Sequence, residues 1–458
     1  MITIQKIKSI AVASFIALQG YAQINTSMMY DPHFTAYASR YLPGRLGTNP
    51  GLGEVNMFNI YGYVSSNSVG FNTVKDFILS DQITDEQIGT IIGQMKKDNR
   101  IFVGAEVQIL SLAFRIKNKD KKELFALKID ARDRVYGSLQ YNKNTFKLLL
   151  EGNKQFAGQT LSLSDSRLNA SYQREYGLGF SVPVAIDVLS KTLTIRPAAT
   201  MKFIQGMANV SMPKGKASVY TEPDGRYLDF EFDYLANTAI PNDIGSIFKG
   251  SGLGWGLDLG VNINWRDFII VDAGVVDLGR VYYNKNMKNY GNSGKHRYDG
   301  LEAQLFQDGE ANAQIDAEQM KEVFAPKETA DKYTTTLGAK LIFQTEVRLQ
   351  KRERKTKKGK ENIYYRHRLF ATYVQGVENA YAATTSPYFS LGYTYSFRNI
   401  LNMGLNLGFN GYNTVNFGPF LSVKGGPFVF GFGSNNLCGL MGKRGSGLDG
   451  YFDIGFNF

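Results

Sequence analysis

The chain has 458 residues, of which 43% are hydrophobic and 13% aromatic, and it carries a formal charge of +11. Its mean hydropathy is −0.24. A single cysteine, Cys438, excludes an intramolecular disulfide and argues against a cysteine-based zinc site.

Lys6 and Lys8 form a short positive region ahead of the apolar stretch Ile10 to Leu18, and Gly20-Tyr21-Ala22 precedes Gln23. This reads as a secretory signal peptide over 1–22, with the mature chain expected from Gln23. Residues 23–44 then form an N-terminal segment. No later stretch has the roughly 20 apolar residues of a membrane-crossing helix. An exported membrane protein without such runs crosses as a closed barrel, because only helices and closed barrels satisfy the backbone in lipid. We therefore expect an all-β fold, a transmembrane antiparallel β-barrel over 45–458.

Strands are expected at 53–65, 101–116, 122–139, 168–181 and 191–205. Two further candidates, 209–222 and 226–238, are either barrel strands or a hairpin rising beyond the membrane. The alternation is clearest in 252–265, where Leu253, Trp255, Leu257, Leu259, Val261, Ile263 and Trp265 alternate with glycine, aspartate and asparagine. The segments 388–397 and 401–410 do the same, and 268–282, 333–350, 361–376, 415–424 and 427–434 complete the run. Period-two patterning is the primary strand signal. The count gives 14 strands, or 16 if both further candidates cross. The last strand places Phe452, Ile454, Phe456 and Phe458 on one face and Tyr451, Asp453, Gly455 and Asn457 on the other. A final strand ending on Phe458 resembles the assembly signal of bacterial outer-membrane barrels. That resemblance implies outer-membrane lipid and the barrel-assembly machinery as partners.

Counting back from this strand places the turns near 424–426, 398–399 and 266–267 in the periplasm. The longer loops 435–449, 377–384 and 283–332 are then external. Three segments have helical spacing. One starts at the Thr84–Gln87 capping box and carries Ile88, Ile91, Ile92 and Met95. A second carries Phe146, Leu149 and Leu150, and a third carries Ile315, Met320 and Val323 before Pro326. They cap a barrel mouth or form a lid or plug. The run 351–360, seven of whose ten residues are lysine or arginine, falls in the periplasm. It is a solvated turn or a contact for an acidic periplasmic partner or cell-wall polymer. Nucleic acid is not expected in this compartment.

The three histidines, His33, His296 and His367, show no metal-ligand spacing, and the chain lacks a nucleophile elbow, a Walker motif and a dinucleotide fingerprint. No enzyme, cofactor or metal is expected. Ser386 near the outer rim could be proposed as the nucleophile of a barrel lipase, but any strand-rich chain has such serines. Asp258, Asp272, Lys340, Glu346, Arg366 and Arg368 all fall on the expected inner face. They either pair to hold the barrel's shape or form a selectivity filter or ligand anchor.

Short motifs point to a family. They are Asn49-Pro50, Gly152-Asn153 with Ala157-Gly158, Arg174-Glu175-Tyr176, and Gly206 with Ala208-Asn209. Further on come Leu257-Asp258-Leu259-Gly260, Asp277-Leu278-Gly279 and Gly426-Pro427-Phe428. In this order they resemble a Bacteroidota outer-membrane barrel family labelled as a domain of unknown function, related to FadL-type transporters and PorV-like barrels. The resemblance implies binding or passage of small hydrophobic molecules, or else a non-enzymatic accessory or adaptor barrel in type IX secretion or envelope assembly. FadL-type proteins carry Asn-Pro-Ala where this chain has Asn49-Pro50-Gly51, so Asn49 and Pro50 are candidate ligand or lumen residues with a departure at the third position.

Overall fold

The alternation read from the sequence closes into a ring. The computed structural model describes residues 24–49, 51–79, 84–120, 122–164, 166–188, 191–299, 323–355, 361–379, 383–410, 415–441, 445 and 447–458. The expected leader, Gln23, Pro50, Ile315, Met320 and residues 356–360 lie outside them. Fourteen antiparallel strands form the wall: β1 Gly53–Ser66, β2 Asp98–Lys117, β3 Glu123–Asn142, β4 Arg167–Ser181, β5 Lys191–Thr221, β6 Gly252–Trp265, β7 Ile269–Tyr283, β8 Lys340–Lys355, β9 Glu361–Gly376, β10 Tyr388–Phe397, β11 Leu401–Asn410, β12 Val415–Gly425, β13 Phe428–Gly433 and β14 Gly447–Asn457. Each pairs with the next, and β14 returns to β1 from Ser65↔Gly447 to Glu54↔Asn457. Phe458 continues this seam: its N–H donates to Gly53 and its carbonyl accepts from Leu52 and Gly53.

One face of each strand suits lipid and the other does not. On β11, Met403, Leu405, Leu407 and Phe409 are exposed while Asn402 and Asn406 are fully buried. On β6, Leu253, Trp255 and Leu259 are exposed while Asp258 and Asn262 are buried. A water-soluble protein would pay heavily for such a continuous apolar belt, whereas a bilayer requires it. His367 lies on this outer face, with its Nδ1 2.7 Å from the Tyr393 hydroxyl.

Several expected elements differ in detail. The segments 191–205 and 209–222 are one strand, β5, with a bulge between Ser211 and Lys214. Its upper part pairs with Leu228–Ala239, which pairs in turn with Met287–Tyr298. The candidate at 226–238 is therefore the hairpin reading, and the count stays at 14. The loop expected over 283–332 contains that further strand. Cross-strand pairs such as Asp229–Arg297 (2.8 Å) line this outer sheet, and the guanidinium of Arg297 holds the Asp229 carboxyl below its usual range. The capping box is present: Thr84 accepts from Gln87 N–H, the Gln87 side chain accepts from Thr84 N–H, and a helix runs from Asp85 to Gln94. A second helix spans Lys143–Glu151, and Phe71–Leu79 forms a helix not expected from the sequence. The end with short turns is tightly closed. At Arg266-Asp267 and Arg398-Asn399 both residues have positive φ, as the central residues of tight turns closed by Phe268 N–H donating to Trp265 O and Ile400 N–H donating to Phe397 O.

The lumen is occupied. Residues 24–49 run through it in three short helical turns, Thr26–Met29, Thr35–Ala38 and Pro43–Arg45, before joining β1. Tyr30, Phe34, Tyr37 and Leu42 are fully buried among Tyr61, Phe370, Phe420 and Tyr451. Tyr30 stacks on Phe370 with ring centroids 4.6 Å apart. Gly392 of β10 makes room for it, because a Cβ there would overlap the Tyr30 ring.

Leu391 on β10 is 55% exposed on the apolar belt. Leu391→Arg should lower the stability of the inserted barrel by about 2–4 kcal/mol if it sits near the midplane, whereas Leu391→Phe should leave it unchanged. The folded fraction, read from heat-modifiable migration on unheated gels, checks this.

Candidate functional site

Two ion clusters brace the lumen. In the first, Arg45 of the inner segment donates to Asp272 on β7 through Nε (2.7 Å) and to Glu346 on β8 through Nη1 (2.6 Å). Glu346 also accepts from Arg348 (2.6 Å) and from Arg368 on β9 (3.0 Å), and Asn262 donates to Asp272 (2.6 Å). The cluster therefore ties the inner segment to four wall strands, β6 to β9.

The second cluster centres on Asp277. This residue has φ 60° at a bulge in β7, where the register with β6 shifts between Val275 and Leu278. A bulge re-aims a side chain, and here the carboxylate meets Arg134 (3.2 Å), Lys202 (2.7 Å) and Lys340 (3.1 Å). Lys202 also pairs with Asp258 (2.7 Å), whose carboxylate accepts from Asp277 N–H (2.7 Å). Glu175 joins Arg132 and Arg134 at 2.7 Å each, and Glu106 approaches Arg134 at 3.3 Å. Four cations thus face four carboxylates, all buried.

Of the residues singled out from the sequence, Asp272, Glu346 and Arg368 meet in the first cluster, and Asp258 and Lys340 in the second. Arg366 stands half-buried outside both. Asn49 is elsewhere, at the junction of the inner segment with β1, donating to Glu54 (3.2 Å) and accepting from Gly51 N–H (2.9 Å). Sequence reasoning passed over Arg45, Glu106, Arg132, Arg134, Glu175 and Lys202. The i, i+2 run Lys128, Asp130, Arg132, Arg134 in β3 carried the signal for part of it. Arg45 had none, because its segment has no strand period.

His33, Asp31 and Ser422 also come together: His33 Nδ1 is 2.9 Å from Ser422 Oγ and 3.9 Å from Asp31. All three are buried beneath the wall and the inner segment, and the set holds that segment in place.

An apolar cavity lies in the wall. β13 is short, pairing with β12 only to Phe420↔Gly433 and with β14 only to Gly433↔Tyr451. Beyond Gly433 the chain turns inward. Asn435 accepts from Ser27 N–H (2.6 Å) and Thr26 Oγ1 (3.1 Å), and Ser27 Oγ donates to Ser434 O (2.7 Å). Asp449 of β14 accepts from Ser434 Oγ (2.8 Å) and from the N–H groups of Asn435 (2.6 Å) and Asn436 (3.2 Å). Pro419 of β12, which has no N–H to offer, still accepts from Ser434 N–H (3.0 Å). The outer surface is left with a recess of about 1060 Å³. Ile60, Met403, Leu405, Leu421, Phe432 and Phe452 line it from the lipid-facing side. Gly433, Ser434, Asp449 and Tyr451 close it from the lumen side. A pocket of this size and apolar character suits a small hydrophobic ligand.

A family described as "Family of unknown function (DUF5723)" matches residues 43–435. Among solved structures, the Ralstonia pickettii toluene transporter TbuX is similar at 9% identity over 96% of this chain and 97% of that one, with a TM-score of 0.42. The Pseudomonas putida toluene transporter TodX is similar at 10% identity over 96% and 99%, with a TM-score of 0.40. A Pseudomonas aeruginosa FadL homologue is similar at 10% identity over 92% and 94%, with a TM-score of 0.41. No curated protein matches the chain.

Arg45→Met should destabilise the folded protein by about 3–5 kcal/mol, because Asp272 keeps no other ion-pair partner among the described residues and a buried charge is left uncompensated. Glu346 retains Arg348 and Arg368, so Arg368→Met should cost clearly less. Thermal unfolding in detergent ranks the two variants.

Proposed function

The chain belongs to the DUF5723 family, and from that premise we propose that it is an outer-membrane β-barrel that binds or passes small hydrophobic molecules through its wall. The observation that carries this reading is the recess where β13 turns inward. It opens on the lipid side, is lined by aromatic and aliphatic side chains, and ends against the segment 434–437, which touches the inner segment. An apolar solute partitions into the bilayer before it meets the protein. A side entrance therefore suits it better than an aqueous pore, whose mouth would select against it. The short turns and Phe458 face the periplasm, and the helices and outer sheet face the exterior.

A second reading, a non-enzymatic accessory or adaptor barrel in type IX secretion or envelope assembly, is favoured by a different observation. The inner segment and the two ion clusters fill much of the lumen, which is more than ligand passage alone demands.

Filling the recess separates the two. A Cβ on Gly450 would meet nothing nearer than 3.9 Å, so Gly450→Phe projects into the recess without a backbone clash. Binding of the fluorescent probe N-phenyl-1-naphthylamine to purified protein should weaken at least about tenfold, or about 1.4 kcal/mol, with heat-modifiable migration unchanged. Equal affinity of the two proteins for the probe would remove the recess as the ligand site and leave the adaptor reading.

A further inference from the structure

Strands β8 and β9 continue past the wall. β7 stops pairing with β8 at Ile269↔Val347, after which Arg348 N–H donates to Phe268 O (2.8 Å). β10 stops pairing with β9 at Tyr395↔His367. β8 and β9 nonetheless remain paired with each other out to Lys355↔Glu361. From Lys351↔Tyr365 outward they form a two-stranded arm, neither edge of which pairs with another strand among the described residues, about 17 Å long at roughly 3.4 Å per residue.

The base of the arm is fixed and its outer part is charged. Tyr364 and Tyr365 are buried, and the guanidiniums of Arg348 and Arg368 lie 5.4 and 6.0 Å from the Tyr365 ring centroid. Gln350, with φ 53°, marks the bend where the arm leaves the barrel. Beyond it Lys351 and Arg352 are exposed and join no ion pair among the described residues. Of residues 351–360, seven are lysine or arginine and one is acidic. An edge strand needs only one well-placed lysine, proline or bulge to discourage unwanted sheet pairing. Seven cations in the run exceed that need and give it a strong net positive charge. The open edges meanwhile offer unpaired N–H and C=O groups, and Ile363 is 47% exposed beside them.

We propose that this arm is a docking strand for an acidic, extended polypeptide segment, which adds to an open edge by main-chain hydrogen bonds while its carboxylates meet the lysines and arginines. The proposal rests on the adaptor reading above and gives it a place and a partner chemistry. A β-forming peptide supplies both parts of the match, whereas a flexible polyanion supplies only the charge.

The experiment uses the full-length protein in detergent and fluorescence anisotropy of a labelled peptide of alternating glutamate and valine. Saturable binding is expected, weakening at least about tenfold as salt rises from about 0.05 M to about 0.3 M, since exposed charges are screened over about 10 Å at 0.1 M. The variant Lys351→Ser/Arg352→Ser/Arg354→Ser/Lys355→Ser should lose this binding while keeping heat-modifiable migration and affinity for N-phenyl-1-naphthylamine. Polyglutamate of equal charge should bind at least about tenfold more weakly, because it forms no ladder. Three results overturn the proposal: no binding of the alternating peptide, undiminished binding by the variant, or equal binding of polyglutamate. Preferential binding of phosphatidylglycerol vesicles through the same four residues also overturns it and assigns the arm to the membrane surface. Lys351→Cys tells the two levels apart. If a membrane-impermeant maleimide labels it from outside intact cells, the orientation and the adaptor reading fail together. If it is protected but the peptide does not bind, only the arm's role falls.

Discussion

The seam between β1 and β14 is the constraint that governs every other feature of the barrel. In lipid an open sheet edge would leave a row of N–H and C=O groups without water, at several kcal/mol each. The ladder from Ser65↔Gly447 to Glu54↔Asn457, continued by Phe458 against Leu52 and Gly53, removes that edge. Once the ring closes, alternation has no freedom left. Every second residue faces acyl chains, and the polar residues between them are committed to the interior. A fourteen-stranded ring is too wide for its own side chains to fill, since about eight strands is the size at which they do. Residues 24–49 supply the missing volume, and their aromatic residues form the inner core.

The interior then has a charge problem, solved locally and not by solvent. Asp277 faces Arg134, Lys202 and Lys340, and Asp272 faces Arg45, so each of these two carboxylates has a cation within hydrogen-bond reach. Such pairs contribute little net stability compared with an apolar core of the same volume, but losing one partner is expensive. Their consequence is specificity. Arg45 fits against Asp272 and Glu346 in one placement of the inner segment, and a slip along the lumen would strand Arg45 and Asp272, whereas Glu346 would keep Arg348 and Arg368. The pairing of these ions with one another also leaves few of them available to a passing solute.

How much of this was legible in the sequence depended on period. Strands such as 252–265 and 401–410 announce themselves because the residue types change at every step, and two-sided burial makes that change obligatory. The Thr84–Gln87 capping box is legible for the same reason: the local chemistry has one use. Boundaries fail where strands leave the membrane. Beyond the bilayer both faces meet water and the alternation fades, so β5 reads as two segments broken where its register with β4 shifts between Gly206 and Ala208, and Met287–Tyr298 reads as loop. The candidate site is half legible. Asp258, Asp272, Lys340, Glu346 and Arg368 lie on clean strands and can be placed on a face, but which charge meets which depends on tertiary register. The recess is illegible, because it arises from the path of the chain after β13. Gly433, Ser434, Asn435 and Asn436 look like any polar turn, and nothing local says that the turn folds inward.

The position of that inward turn has a physical logic. The lumen face of β2 through β9 carries the ion clusters, whereas β10 to β12 present Ser390, Thr394, Asn402, Asn406, Asn416 and Ser422. Thinning the wall in front of the ions would bring low-dielectric lipid close to buried charges and raise a desolvation cost already of several kcal/mol per ion. Thinning it in front of amides and hydroxyls costs far less, because each neutral group needs only a hydrogen-bond partner. The carboxylate that does lie behind the recess, Asp449, is enclosed by five hydrogen bonds from Ser434, Asn435, Asn436 and Tyr61. Those same bonds hold the turn in place. The group that would be hardest to tolerate behind an apolar recess is thus the one that fixes its shape. The recess is therefore a built feature of the wall, and its apolar character comes from where in the ring it was placed.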